Sequence, residues 1–294
     1  PTLGSIARLE NGAAANNLIA VHQPLSPVTE AYRTIRTNIR VSFVDKPVRT
    51  LVVTSSQPSE GKTTLVANLG VVMAQAGNRV VLVDCDLRRS MLHKKFEVPN
   101  REGLTNALLE DEPTLDGWLR ETEVENLRVL TSGPLPANPS ELLGSQKMRG
   151  LIERLKEEAD IILFDTPPVL LVTDAAVLAM ETDGVLMLAE AGRTRRATVQ
   201  QAAQRLRQLG VNIVGMVLNL VPAERSKGYG YYSYYQKHDQ SNGLARGAEP
   251  KRVKQSRGLR QSGEGIVGAL RDRLPFGARQ NHSSQHTLLR DEQE

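Results

Sequence analysis

The chain has 294 residues, 40% of them hydrophobic and only 4% aromatic, so aliphatic side chains must fill a core sized for one large domain or two. Its net charge of +4 belongs to residues 236–294, which hold 11 Lys/Arg against 7 Asp/Glu, while the preceding 235 residues hold 26 of each. That placement argues against a nucleic-acid-binding domain, and the single cysteine, Cys85, excludes an internal disulfide framework and fits a reducing compartment.

Residues 1–25 read as a small-residue lead-in without a periodic pattern. The chain opens on Pro1 rather than Met, with neither a signal peptide nor a run of about 18 apolar residues. This suggests a fragment whose N-terminal part has been removed. From residue 26 to about 44 the pattern is helical, with Ser26 as N-cap and Pro27 in the first turn. On this helix Glu30, Arg33 and Arg36 recur at a spacing of three, near one face, which suits a self-paired charged surface. Strand-like runs follow at 49–54, 79–84, 127–130, 160–165, 184–190 and 212–219. Helical patterns fill 62–76, 103–109, 146–158, 174–181 and 194–209. Strands apolar on both faces and separated by helices predict a doubly wound, mostly parallel α/β sheet over residues 26–221. Beyond Val221 apolar periodicity stops, and residues 236–294 read as a disordered basic tail.

The first strand runs into Ser59-Glu-Gly-Lys-Thr-Thr64. Gly61 lets the backbone approach a phosphate closely, and loop amides converge on the anion at the start of a helix. Lys62 supplies a point charge for the β/γ-phosphates and Thr63 a hydroxyl for Mg²⁺. Ser56 stands where the usual phosphate loop has its first Gly. The second strand ends Asp84-Cys-Asp86-Leu-Arg88-Arg89. Residues i and i+2 of a strand share a face, so both carboxylates should point one way. One can serve a metal's water shell while the other accepts a proton, although Asp86 also suits a turn. Asp165 follows four apolar residues and precedes Thr-Pro-Pro, the position of a metal-side carboxylate. Asn219, at the end of the last strand, suits adenine recognition or an ordinary strand end equally. Cys85 reads as a small buried apolar residue.

Five of the six tyrosines, Tyr229, Tyr231, Tyr232, Tyr234 and Tyr235, fall within seven residues spaced by Gly and Ser. Such a run cannot build a core. Phenols tethered beside a phosphate site read as phosphoacceptors.

Together these motifs closely resemble the bacterial tyrosine kinases that control capsular and exopolysaccharide synthesis. The likeness covers roughly residues 26–235 and includes Gly133-Pro-Leu-Pro-Ala-Asn-Pro-Ser-Glu-Leu-Leu143 and Phe164-Asp-Thr-Pro-Pro168. The resemblance implies a P-loop NTPase of the deviant-Walker, MinD/ParA-like superfamily. It implies that Ser59, Glu60, Gly61, Lys62, Thr63 and Thr64 bind ATP, that Asp84 and Asp86 carry catalysis beside Lys62, and that Thr63, Asp84 and Asp165 attend Mg²⁺. It implies a homo-oligomeric ring closed through Glu30, Arg33 and Arg36, with a neighbour's tyrosines phosphorylated in trans. It implies a location at the cytoplasmic face of the membrane, a fused membrane chain-length regulator preceding residues 1–25, and a tyrosine phosphatase as partner. Ser90 stands where the family often has Pro, a change expected to matter little. Residues 236–294 extend past the point where relatives usually end. Two rivals remain. One is a partition- or division-type ATPase, which carries a signature Lys where this chain has Gln57. The other is a nucleotide-binding regulator of a polymerase without kinase activity.

Overall fold

The computed structural model describes residues 1–8, 18–41, 48–110, 115 and 117–222. The tyrosines at 229–235 and the tail at 236–294 lie outside the described residues. In chain order the elements are β1 (Thr2–Ala7), α1 (Ile19–His22), α2 (Pro27–Val41), β2 (Thr50–Ser55), α3 (Lys62–Ala74) and β3 (Val80–Asp84). Then come α4 (Leu92–Lys95), α5 (Leu104–Leu109), β4 (Leu119–Glu121), β5 (Leu127–Leu130), α6 (Pro139–Leu143) and α7 (Gln146–Glu158). The last are β6 (Ile161–Asp165), α8 (Asp174–Ala179), β7 (Gly184–Glu190), α9 (Arg196–Gln208) and β8 (Ile213–Val221).

Every residue of β2, β3 and β7 is buried, because helices cover both faces of the sheet. The strand order is β1-β8-β7-β2-β6-β3-β5-β4, and every pairing is parallel except β4 with β5. The doubly wound, mostly parallel architecture expected from the sequence is therefore the one observed. Two apolar clusters fill the layers. One centres on α3 with Tyr32, Ile35 and Leu82, the other on Phe164, Leu151 and Leu155. Tyr32, the sixth tyrosine, is a core residue, and burial pushes its phenol pKa up.

α3 is buried on all sides, as befits a helix apolar all round. α2 lies over it, burying Val28, Tyr32, Ile35 and Ile39 at helical spacing. Ser26 caps α2 as anticipated, its Oγ accepting from the Thr29 amide at 3.2 Å.

The lead-in differs from expectation. Residues 2–7 form β1, which pairs in parallel with β8 and packs against α2. A Cβ on Gly4 would sit 2.6 Å from Ile35 Cγ1, so the strand meets the helix only because that position has no side chain. Residues 19–22 form α1, bound to α3 through the Ala20 amide on Asn68 Oδ1 (2.9 Å) and Gln75 Nε2 on the Ala20 carbonyl (3.1 Å). Part of the segment read as a linker is thus an integral edge of the domain.

Candidate active site

β2 leads into the loop at residues 56–61 and then α3. Ser59 (φ 62°) and Gly61 (φ 97°) both occupy left-handed backbone conformations. These turns leave the amides around the start of α3 grouped as an anion-binding concavity. Gly61 is required twice over: its φ disfavours a side chain, and a Cβ there would stand 2.3 Å from Asn219 Nδ2.

The side chains of two expected ligands, Glu60 and Asn219, brace this loop. Glu60 is buried, and its Oε2 accepts from the Gln57 amide at 2.9 Å and the Ser56 hydroxyl at 3.5 Å. Its Oε1 accepts from the Thr194 hydroxyl. The Asn219 amide donates to the Glu60 carbonyl at 2.8 Å. The Asn219 side chain thus braces the loop, and the Glu60 carboxylate is committed inside the protein. Ser56, the departure from the usual loop pattern, is buried, and its hydroxyl serves the same Glu60 carboxylate.

Asp84 ends β3 and Asp165 ends β6, facing each other in register on adjacent strands. Asp165 in turn pairs with Val53 of β2, so both carboxylates stand at the strand ends beside the loop. Asp165 is buried with neither oxygen in hydrogen-bond geometry to a protein donor. Burial raises its pKa well above the usual carboxylate range, the neighbouring Asp84 charge adds to the rise, and the nearby Thr63 hydroxyl and Lys62 oppose it. Asp84 is likewise buried, and desolvation lifts its pKa to about 6. Its Oδ2 accepts from the Ser90 hydroxyl (2.8 Å) and from the amides of Met91 (3.1 Å) and Leu92 (2.9 Å), while Oδ1 has no partner. Lys62 is nearly buried; desolvation lowers its pKa, and Asp165, Asp86 and Glu60 counter that shift electrostatically.

Asp86 departs from the expected geometry. β3 stops at Asp84, so strand periodicity does not align the two side chains. Asp86 sits in a turn, its Oδ1 accepting from the amides of Arg88 (3.4 Å) and Arg89 (2.9 Å). It stays close enough to act electrostatically on Lys62, Asp84 and Asp165. Ser90 also departs: proline at that position would have no hydroxyl to give Asp84.

A tether that no local motif signals holds the turn after β3. Arg88 grips the buried Asp174 at the start of α8 in a fork, Nε to Oδ2 at 2.9 Å and Nη2 to Oδ1 at 3.0 Å. The Ser140 hydroxyl, at the start of α6, donates to the same carboxylate. Burial pushes the Asp174 pKa up, but these donors and the Arg88 charge outweigh it and the net shift is downward. Ser140 and Arg88 lie in motifs quoted above, but their common partner became visible only in three dimensions.

On α2, Arg33 pairs with Glu30, and Arg36 donates to the Val72 carbonyl of α3 at 2.7 Å. This is the self-paired reading of that helix face. Cys85 is buried, and burial pushes its thiol pKa up, as expected of an inert residue.

Two carboxylates with three orphaned oxygens, a hydroxyl and a cationic amine beside an anion-binding loop suit a hard cation that keeps some of its waters and shares phosphate oxygens. The residues present therefore fit Mg²⁺ bound with a nucleoside triphosphate.

Comparison with known proteins agrees with this geometry. A family model described as "AAA domain" matches residues 48–211. The tyrosine-protein kinase YwqD of Bacillus subtilis (strain 168) is 39% identical over 216 residues, spanning 74% of this chain and 91% of that protein. The tyrosine-protein kinase Etk of Escherichia coli (strain K12) is 37% identical over 214 residues, which cover 72% of this chain but only 29% of the longer relative. The solved kinase domain of Escherichia coli Etk superposes with a TM-score of 0.70 at 33% identity, covering 76% of this chain and 91% of that one. By its sequence and its fold, the chain belongs to the family of bacterial tyrosine-protein kinases.

Proposed function

We propose that the chain is an ATP-dependent tyrosine autokinase that phosphorylates the tyrosine cluster at 229–235 of a neighbouring copy. The observation that carries this reading is the set of orphaned oxygens on buried Asp84 and Asp165 beside Lys62 and the Gly61 loop. Buried acceptors without donors cost stability, so their retention favours a function that needs them.

In this reading the loop amides from Ser59 to Thr64 and the Lys62 ammonium hold the β- and γ-phosphates of ATP. Thr63, Asp84 and Asp165 would hold Mg²⁺, which when bound neutralises phosphate charge. A phenol has an ordinary pKa near 10 and attacks poorly without help. With Asp84 committed to the metal, Asp86, whose Oδ1 is held by the turn amides, orients the phenol and accepts its proton as the oxygen attacks. Lys62 and the loop amides stabilise the charge on the phosphoryl group in flight. Glu60, Ser56 and Asn219 keep the loop in shape.

The finer expectations are part of the same proposal. Glu30, Arg33 and Arg36 close a ring by trading their internal partners for a neighbour's. The chain works at the cytoplasmic face of the bacterial membrane beside a chain-length regulator, in capsule or exopolysaccharide synthesis. A tyrosine phosphatase resets it. The test uses γ-labelled ATP with Mg²⁺. Wild type should acquire protein-bound label, whereas Lys62→Met and a variant with five Tyr→Phe changes should each lose at least about 90% of it, the tenfold deficit expected when one transition-state charge or the acceptor itself is removed. ATP hydrolysis with no label on the wild-type protein would refute the kinase reading in favour of a switch ATPase.

A further inference from the structure

Ser90 is the hub of a polar cluster around Asp84 that phosphoryl transfer does not itself require. Its hydroxyl has one proton, and the 2.8 Å contact with Asp84 Oδ2 takes it. The remaining neighbours must then face its lone pairs. His93 Nδ1 lies 3.2 Å away and Asn100 Nδ2 3.5 Å away. Asn100 is anchored in its turn, since its Oδ1 accepts from the Ser132 hydroxyl at 3.2 Å and the Gly133 amide at 2.9 Å. The hydroxyl is thus aimed from behind by His93 on α4 and by Asn100 between α4 and α5, the latter held by the loop after β5.

The consequence lies in the asymmetry of Asp84. Three donors converge on Oδ2, from Ser90, Met91 and Leu92, and none reaches Oδ1. A free carboxylate can exchange its two oxygens by rotating about one bond. Here rotation would break three hydrogen bonds in a buried place, so only Oδ1 remains available beside Asp165. We propose that Ser90 is a positioning residue that locks the Asp84 carboxylate so that one defined oxygen is presented to the nucleotide-bound Mg²⁺. The proposal rests on the functional reading above and adds a residue to it.

The test measures binding of a fluorescent ADP analogue to the full chain as Mg²⁺ is titrated, alongside the rate of γ-phosphate loss from ATP. Ser90→Ala should raise the half-saturating Mg²⁺ concentration about tenfold and slow turnover at fixed Mg²⁺ by a similar factor, the size expected for one hydrogen bond to a charged group. Affinity for the analogue without Mg²⁺ should stay unchanged, and Ser90→Thr should restore both values to within about twofold of wild type, since it returns the hydroxyl. If Ser90→Ala fails to fold, the pair Ser90→Thr and Ser90→Val asks the same question, because the two side chains share a shape and differ in the hydroxyl. The proposal is overturned if Ser90→Ala keeps the wild-type Mg²⁺ dependence, if Thr is as impaired as Ala or Val, or if Mg²⁺-free affinity falls in parallel. A wild-type chain that binds nucleotide with Mg²⁺ but never labels tyrosine would sink the kinase reading alone, since the binding arm still reports on Ser90.

Discussion

Asp165 concentrates the cost of this site. Its carboxylate is buried, lacks a donor and faces Asp84 across the strand pair. Both groups have folded-state pKa values above their ordinary value, so the stability associated with them is complete below about 3.8 and is lost as pH rises through the folded value, about 6 for Asp84. Without Mg²⁺ the protein should therefore become more stable as pH falls from 7 towards 5. Asp165→Asn should flatten that slope and raise the melting temperature at pH 7.5 by roughly 2–8 °C, while abolishing phosphotransfer. Scanning calorimetry of both proteins across pH checks this, and a variant less stable than wild type at pH 7.5 would contradict it. Lys62, Thr63 and Asp165 were legible in the sequence because each belongs to a local run whose chemistry is self-explanatory. Glu60, Asn219 and Ser90 were not, because their roles depend on partners brought together by folding. Asn219 and Glu60 are 159 positions apart, and nothing at either position alone signals the contact. Asp86 lies two residues beyond the end of β3, where strand periodicity no longer applies.

Among elements, the central strands announced themselves as unbroken apolar runs, and the six predicted strands all exist within a residue or two of the expected bounds. β1 escaped notice because Thr-Leu-Gly-Ser-Ile-Ala carries a glycine and a serine where strand patterns are usually stronger. The glycine is there for α2, whose Ile35 fills its space. β4, α4 and α6 have three to five residues, too few for a period to emerge. β1 also connects to the site: Arg8, just past its end, pairs with Glu190, whose amide lies 3.5 Å from Glu60 Oε1. Leu3 is buried, with its side chain against Gly215 of β8. Leu3→Ala should cost about 2–4 kcal/mol by urea denaturation. A loss below about 0.5 kcal/mol, the level of an ordinary surface change, would show that the first strand is dispensable to the domain.

For the molecule as a whole, the parallel sheet gathers the ends of β2, β3 and β6 at one edge, where the loop, Asp84 and Asp165 meet. Open α/β sheets bind their ligands outside such strand ends. β8 runs beside β7, with Asn219 opposite Glu190, so the last described residues follow closely on the loop contact that Asn219 makes. The tyrosine cluster begins seven residues past Pro222. Each phosphate added there brings about −1.5 to −2 charges, which repel the phosphates of ATP and discourage re-entry. Full phosphorylation should accordingly dissociate the proposed ring, seen as a fall in mass by light scattering, and an unchanged mass would contradict that step. The central claim is tested most directly by peptide mass spectrometry of the purified chain after incubation with Mg²⁺ and ATP, with Lys62→Met treated in parallel. The account predicts phosphate on Tyr229, Tyr231, Tyr232, Tyr234 and Tyr235 in wild type and its absence in the variant. Wild-type protein that consumes ATP yet carries no phosphate on these residues would contradict it.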